Sequence, residues 1–155
     1  MKKINYLITG GQGFIGYNFI KKLDEMENTG IIVSLDKISD ISIRTQPEVK
    51  YGPFQLVRGH TSDSDVVFNI LKLWKIDVVV DFAASSHVDV SIQNPDVFIE
   101  DNILGKYGMI KACLEWQKIN ESFKLINIST DEVFGALEPN EGRFTGMSRL
   151  SPTNP

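Results

Sequence analysis

Five short apolar runs alternate along the chain with longer segments in which apolar residues recur every three or four positions. Several of the short runs are apolar at consecutive positions, which is typical of strands covered on both faces of a parallel sheet. The alternation therefore predicts an α/β fold in which helices lie on both faces of a parallel sheet. The predicted strands span residues 4–9, 31–36, 54–59, 76–84 and 123–129, and the predicted helices span residues 14–26, 63–74 and 95–119.

Local signals mark where these elements begin and end. Asn94 followed by Pro95 gives the long helix a capping residue and a proline at its first position. Serine and aspartate at residues 62–65 are a typical start for the preceding helix. Residues 37–53 are polar and contain two prolines and one glycine, so we predict an irregular connection there and again after Gly135.

Composition and charge narrow the classes of function. The 155 residues are 42% hydrophobic and 23% charged, which is ordinary for one globular domain. The net charge of −4 provides no basic field, so we predict neither nucleic-acid binding nor attachment to an anionic membrane. No apolar run approaches the ~18 residues of a membrane span, and the apolar start is too short for a signal peptide. With a single cysteine, Cys113, the protein is expected to be cytoplasmic.

The segment TGGQGFIG, residues 9–16, follows the first predicted strand and opens the first predicted helix. Glycine suits such a turn because the backbone needs unusual dihedral angles and must come close to a pyrophosphate, which the N–H groups of the helix N-terminus attract. Gly10, Gly13 and Gly16 therefore predict a dinucleotide site and, with the strand pattern, a Rossmann-like doubly wound sheet. A purely structural glycine turn is the alternative.

Asp36 ends the second predicted strand, 20 residues after Gly16. A carboxylate at this distance accepts hydrogen bonds from the hydroxyl groups of the adenosine ribose. Because a 2′-phosphate would meet a like charge there, we predict NAD as the cofactor in preference to NADP. Lys37, the next residue, could reduce that repulsion.

The segment DFAASSHVD, residues 81–89, follows the fourth predicted strand. Ala83 and Ala84 are small enough for a cofactor to lie against the backbone at the carboxyl end of the strand, and the two serines that follow add hydroxyl groups. An ordinary strand-to-helix loop is the alternative. We interpret His87 as a packing or supporting residue rather than a catalytic base. We predict no metal site, because the histidines and the cysteine lack the spacing of metal ligands.

The long predicted helix is apolar on more than one side. Ile99, Ile103, Ile110 and Leu114 form one stripe, whereas other large apolar residues fall off it. One face should cover the sheet, and we predict that the remainder of residues 95–119 forms a homodimer interface. Apolar residues scattered over the surface are the alternative.

Thr130, Asp131 and Glu132 follow the last predicted strand, whose carboxyl end should lie beside the nicotinamide position. Two neighbouring carboxyl groups can divide the roles of acid and base when their surroundings differ. Elimination of water requires such a pair, a base for the carbon acid and an acid for the departing hydroxyl group. A turn with two solvent-facing acids is the alternative.

Taken together, these motifs resemble one family of enzymes. The segments TGGQGFIG, LDK at 35–37, FAASSHVDVSI at 82–92, FIEDNILG at 98–105 and ISTDEVFG at 128–135 are similar to those of the nucleotide-sugar 4,6-dehydratases. These are extended short-chain dehydrogenase/reductases, typified by dTDP-glucose 4,6-dehydratase. The similarity runs in unbroken order over residues 4–155. The TDE triplet is its most specific part, since related epimerases and decarboxylases lack the paired acids.

The resemblance implies dehydration of a nucleoside-diphosphate hexose, dTDP- or UDP-glucose, to the 4-keto-6-deoxy sugar, with tightly bound NAD as a transient hydride acceptor. In this scheme Thr130 hydrogen-bonds the C4 oxygen, Glu132 removes the C5 proton and Asp131 protonates the leaving C6 hydroxyl group. Ser86 would contact both the cofactor and the sugar. The other cofactor positions that the resemblance implies are Phe14, Ile15, Asp36, Lys37, His60, Thr61, Phe82, Ala83, Ala84 and Asp101.

Two of these positions depart from the family pattern. His60 stands where an aspartate usually contacts adenine, so we expect adenine recognition to be altered or shared with Thr61. Asp101 stands where threonine is usual. The family's Tyr-x-x-x-Lys pair, which supplies the base for the C4 hydroxyl group, is expected just after Pro155.

We therefore expect residues 1–155 to be an NAD-binding Rossmann domain without the sugar-binding part, inactive by itself. Tyr17 with Lys21 and Tyr107 with Lys111 have the required spacing, but we interpret both as chance pairs on helices away from the nicotinamide edge. Another nucleotide-sugar epimerase or decarboxylase of the same superfamily is the first alternative. A non-catalytic NAD-binding fragment is the second.

Overall fold

The structure is a computed structural model that describes residues 2–39, 42–43, 45–137 and 142–153. Within these ranges the strands are β1 (Ile4–Thr9), β2 (Thr29–Asp36), β3 (Phe54–Arg58), β4 (Val78–Asp81) and β5 (Lys124–Asn127). They form a parallel sheet in the order β3-β2-β1-β4-β5. The chain moves outward from β1 to β3 and then crosses back to place β4 on the other side of β1. This is the Rossmann-like doubly wound arrangement that the sequence predicts.

Helices connect the strands. The α-helices of the described ranges are α1 (Phe14–Asp24), α2 (Ser64–Leu73), α3 (Val88–Gln93), α4 (Pro95–Phe98) and α5 (Gly105–Gln117). A π-helical segment, Ile99–Leu104, joins α4 to α5, and a 3-10 turn, Asp131–Phe134, follows β5.

The helices cover both faces of the sheet because its strands carry apolar side chains on both sides. On one face Ile20 of α1 joins Ile8 of β1 in a core cluster. On the other face α2 and α5 close over Leu7, and the indole N–H of Trp116 on α5 donates to the carbonyl oxygen of Ile76 over 2.9 Å. Leu7, Ile8 and Ile20 are fully buried, so the strands that carry the candidate site are held rigidly.

The predicted strands and helices are confirmed, and the differences have physical causes. The fourth strand is shorter than the predicted 76–84, because the N–H of Ala83 turns to the buried carboxylate of Asp81 over 3.1 Å instead of continuing the ladder. Residues 88–93 form α3, which was not predicted, since apolar and polar residues alternate there as they do in a strand.

The long predicted helix, 95–119, runs as one helical stretch through α4, the π-helical segment and α5. Its inner side includes Phe98 and Trp116, both buried. The predicted apolar stripe faces outward instead, with exposure from 47% at Ile99 to 56% at Ile103. In the ranges that the structure describes, none of the helices is long and apolar enough to cross a membrane.

Candidate functional site

The glycine loop, residues 10–13, connects β1 to α1 at the carboxyl edge of the sheet. Gly10 has a φ of +66°, and a Cβ there would lie 2.8 Å from the backbone nitrogen of Ala83, just past β4. Neither the backbone conformation nor the space admits a side chain. A Cβ on Gly16 would come within 2.4 Å of the Gly10 carbonyl oxygen, so α1 packs directly on the loop.

The first turn of α1 opens toward the same edge. Gly13 precedes the helix in an extended conformation and donates its N–H to the carbonyl oxygen of Gly10 over 3.0 Å. Phe14 and Ile15 begin the helix and are 79% and 63% exposed. The first N–H groups of a helix lack acceptors within it and attract anions. The loop and this turn together form a surface suited to a pyrophosphate.

Asp36 ends β2 beside the glycine loop and is 8% exposed. Its carboxylate accepts the N–H of Gln12 at 3.0 Å and the N–H of Ile38 at 2.7 Å. Carboxylate oxygens have several lone pairs, so Asp36 can also accept hydroxyl groups. Gln12 is buried as well, and its side-chain amide donates to the carbonyl oxygen of Ile43 over 2.8 Å. Asp36 is thereby fixed between the loop and the segment after β2.

A buried ion pair lies directly beneath the end of β4. The carboxylate of Asp81, which is fully buried, accepts hydrogen bonds from Thr9 on β1 and Lys106 on α5. Lys106 also donates to the carbonyl oxygen of Ala83 over 2.9 Å, so Ala83 is held from both sides next to Gly10. Sequence analysis missed this pair. The available signal was a charged residue closing an otherwise apolar strand.

The other residues predicted after β4 differ in burial. The ring of Phe82 turns inward and contacts that of Phe19 on α1, with centroids 5.2 Å apart. Ala84 and Ser86 are exposed at the sheet edge. His87 precedes α3 and is exposed, and its predicted packing or supporting role stays a prediction.

Asp101, on the π-helical segment, gathers side chains from three loops at this edge. Lys37 donates to both of its carboxylate oxygens, at 2.6 and 2.8 Å. His60 Nε2 lies 2.9 Å from one oxygen, and the hydroxyl group of Ser85 donates to the other. Burial by itself raises the pKa of Asp101, but the hydrogen bonds from these partners and the charge of Lys37 outweigh it and hold the pKa below its ordinary value. Three predicted cofactor contacts, Lys37, His60 and Asp101, thus form one cluster.

The two residues predicted to share adenine recognition lie in different surroundings. His60 is partly buried, and its Nδ1 is 2.7 Å from the hydroxyl oxygen of Ser62. Thr61 is buried, and a Cβ on Gly105 would lie 2.7 Å from its hydroxyl oxygen, so this side chain faces α5. Of the two, His60 is therefore the one connected to the loops of the sheet edge.

The acid pair occupies the 3-10 turn after β5. Thr130 caps this turn by accepting the N–H of Glu132 at 3.3 Å, and its hydroxyl group lies 3.3 Å from the carboxylate of Asp131. All three residues are exposed. A threonine followed by two acids therefore sets both carboxylates at the start of one short turn.

Strand pairing brings this turn to the edge that carries the glycine loop. β5 pairs in parallel with β4, and past its end the N–H of Ile128 still donates to the carbonyl oxygen of Asp81 over 3.1 Å. Thr130 comes two residues later, so the acids leave the sheet beside the end of β4. A later segment folds back onto the turn, where the N–H of Ser151 donates to the carbonyl oxygen of Val133 over 2.9 Å.

Comparison with known proteins gives this edge a chemical context. The family described as GDP-mannose 4,6 dehydratase matches residues 7–155, nearly the whole chain. The chain belongs to this family. Membership confirms the resemblance to the nucleotide-sugar 4,6-dehydratases that the motifs indicated.

Individual relatives and solved structures similar to this chain include dehydratases and epimerases of nucleotide sugars. The dTDP-glucose 4,6-dehydratase of Xanthomonas campestris pv. campestris strain B100 is 34% identical over 97% of this chain and 44% of its own length. The structure of DesIV, a dTDP-glucose 4,6-dehydratase from Streptomyces venezuelae with NAD bound, superimposes with a TM-score of 0.79 and 27% identity over 97% of this chain and 46% of its own. The structure of UDP-glucose 4-epimerase from Brucella ovis in complex with NAD superimposes with a TM-score of 0.78 and 25% identity over 97% of this chain and 42% of its own. The chain spans less than half the length of these proteins.

The geometry fits a dinucleotide at the switch point between β1 and β4, where the strand order reverses. Gly10 has no room for a side chain, Asp36 presents a fixed carboxylate, and Ala83 leaves little bulk at the end of β4. The sequence indicated these features, because each residue lies at or just after the end of a predicted strand. They agree with the predicted cofactor, NAD, which is the cofactor bound in the two neighbouring structures.

Proposed function

We propose that this chain is the NAD-binding part of a nucleoside-diphosphate-hexose 4,6-dehydratase that acts on dTDP-glucose or UDP-glucose. The observation that carries the proposal is the site of Thr130, Asp131 and Glu132, which follow β5 at the edge where the glycine loop and Ala83 lie. Family membership supports the reaction class, and the NAD of the neighbouring structures supports the cofactor.

NAD would lie across the switch point between β1 and β4. Its pyrophosphate would meet the backbone of the glycine loop and the first turn of α1, with Phe14 and Ile15 beside it, and its adenosine ribose would meet Asp36. Ala83 and Ala84 would leave space for the nicotinamide ring. When bound, NAD supplies the acceptor for the C4 hydride and the donor that reduces C6.

The acid pair would carry out the elimination. Thr130 hydrogen-bonds the C4 oxygen and orients the sugar, and Ser86 approaches the sugar from the loop after β4. Glu132 takes the C5 proton, which a C4 ketone makes acidic, while Asp131 gives a proton to the C6 hydroxyl group as the C6–O bond breaks and water leaves. Adjacent acids satisfy both requirements at one sugar.

A 4-epimerase is the second candidate, because the Brucella ovis epimerase shares this fold over 97% of the chain. Epimerisation at C4 moves a hydride between the sugar and the cofactor and breaks no C6–O bond. It therefore needs no acid for a departing hydroxyl group. The Asp131–Glu132 pair favours dehydration.

The proposed enzyme would form a homodimer through the outer side of the π-helical segment and α5. Ile99, Ile103, Ile110 and Leu114 make an apolar strip there and are each about half exposed. Two copies related by a two-fold axis would cover each other's strip. A cytoplasmic location stays a prediction.

The test replaces the N-terminal part of the Xanthomonas campestris dehydratase with residues 1–155 and analyses the product formed from dTDP-glucose and from UDP-glucose. A 4-keto-6-deoxy sugar supports the proposal. A C4 epimer, or unchanged substrate from a fusion that still binds NAD, contradicts it. The unaltered dehydratase is the positive control, and the unfused chain should bind NAD without turnover.

A further inference from the structure

Asp101 and Lys37 form an ion pair between the π-helical segment and the loop after β2. The ammonium nitrogen of Lys37 lies 2.6 and 2.8 Å from the two carboxylate oxygens. The side chain of Asp101 is 7% exposed and that of Lys37 is 40% exposed. A pair with one buried partner keeps its geometry better than a pair of two exposed side chains.

The carboxylate of Asp101 is itself fixed from two other directions. His60 Nε2 lies 2.9 Å from it, and Ser85 donates its hydroxyl group to it. Ser85 is in turn held by Asn102, whose side chain exchanges hydrogen bonds of 2.9 and 2.8 Å with the backbone of Ser85. The carboxylate of Asp101 cannot move with Lys37 without breaking its hydrogen bonds to His60 and Ser85. The carboxylate therefore sets where the lysine lies.

This arrangement bears on the choice between NAD and NADP. Lys37 is the residue directly after Asp36, and in this fold a basic side chain near the ribose accommodates a 2′-phosphate. The ammonium group of Lys37 is engaged by Asp101 instead. We propose that Asp101 determines cofactor specificity: by holding Lys37 it denies the 2′-phosphate a positive partner and leaves Asp36 to repel it. This inference rests on the proposed function, which places the adenosine ribose at Asp36.

The substitution Asp101→Asn should release Lys37. The amide keeps the size of the side chain and its oxygen can still accept the hydroxyl group of Ser85, but it lacks the charge that holds the lysine. The free ammonium group can then pair with the 2′-phosphate. We expect the ratio of the Kd for NADP to the Kd for NAD to fall by about threefold to tenfold, as expected for one partly exposed charge pair.

The experiment measures both Kd values by isothermal titration calorimetry at one pH and ionic strength. It uses the 155-residue chain as wild type, Asp101→Asn, Lys37→Gln and the double variant. Lys37→Gln alone should change the ratio by less than about twofold, because the lysine is already withdrawn. The double variant should return the ratio toward that of the wild type. Lys22→Gln, which removes an exposed lysine from α1, controls for the loss of one positive charge in Lys37→Gln.

Three results would overturn the inference. The first is an unchanged ratio in Asp101→Asn with a native circular dichroism spectrum, with Asp101→Thr as the substitute if the asparagine variant does not fold. The second is a ratio of Kd values in the double variant that is as low as in Asp101→Asn alone, which would mean that Asp101 acts through its own charge. The third is a loss of NADP affinity of about tenfold in Lys37→Gln, which would mean that the lysine already contacts the phosphate. Failure of the wild type to bind NAD is distinct, because it overturns the proposed cofactor itself.

Discussion

The carboxyl edge of the sheet carries two groups of acidic residues that are built differently. Near β2 and β3, Asp36 and Asp101 are buried, and each accepts a hydrogen bond from a residue far away along the chain, Asp36 from Gln12 and Asp101 from Lys37. After β5, Thr130 and Asp131 are exposed, and Thr130 forms hydrogen bonds with its neighbours Asp131 and Glu132 within one turn.

The difference follows from how each part of the sheet is covered. Ile126 of β5 is 47% exposed, whereas Val80, its neighbour in β4, is 4% exposed. A buried carboxylate must find protein partners, while an exposed one is hydrated. The side with Asp36 and Asp101 is therefore organised by tertiary contacts, and the acid turn by its own sequence. Variants on the two sides should fail in different ways.

The largest expected effect is on catalysis at the acid turn, measured in the fusion enzyme. Glu132→Gln and Asp131→Asn should each lower the dehydration rate by roughly 10²–10⁴, because each removes a positioned acid or base. Glu132→Gln should also stop exchange of the C5 hydrogen with deuterated water, while its folding stability stays near that of the parent. Normal C5 exchange in Glu132→Gln would refute its assigned role. Glu27→Gln, an exposed acid after α1, is the control.

The second-largest expected effect is on folding stability, at the ion pair of Asp81 and Lys106. Lys106→Met should lower the free energy of unfolding by about 3 kcal/mol, because it leaves the fully buried Asp81 without its cation. Lys118→Met at the end of the same helical run, where the side chain is 69% exposed, should cost less than about 0.5 kcal/mol. Urea denaturation compares the two. Equal losses would show that the Asp81–Lys106 pair is no more important than a surface pair.

A smaller effect on the free energy of unfolding is expected when the pH is lowered. The hydrogen bonds from Lys37, Ser85 and His60 hold the pKa of Asp101 below its ordinary value despite its burial, which by itself raises it. Asp101 therefore stabilises the fold above its unfolded pKa of about 3.9, and this contribution disappears as pH falls through the lower folded pKa. The wild type should lose more unfolding free energy than Asp101→Asn between about pH 6 and pH 3. Parallel losses in the two proteins would contradict this.

The smallest effect concerns Cys113, a buried residue of α5. Burial, with a further contribution from the charge of Asp81, raises the pKa of this thiol to about 12. Iodoacetamide at neutral pH should therefore label it in urea but not in the native protein. The protonated thiol contributes stability below its ordinary pKa of about 8.5. That contribution is lost as pH rises through about 12. Rapid labelling of the native protein would show that the thiol is accessible.

Sequence reasoning worked where the signal is local. The strand Ile4–Thr9 and the glycine loop after it were predicted because an apolar run and a glycine pattern occupy consecutive residues. It failed for α3, whose apolar and polar residues alternate as they do in a strand. It also missed Lys106, because a lone lysine on a helix carries no sign of a buried partner.

By itself the sequence determined the features that depend on position along one segment. Gly10 must turn with a positive φ, Asp36 must close the second strand, and two acids must stand side by side after the fifth. Only the tertiary structure decided which charges meet. Lys37 and Asp101 are 64 residues apart, and Lys106 and Asp81 are 25 apart. Such pairs form because the packing of distant elements decides which partners a buried charge can reach, and periodicity along the chain does not encode which partners those are.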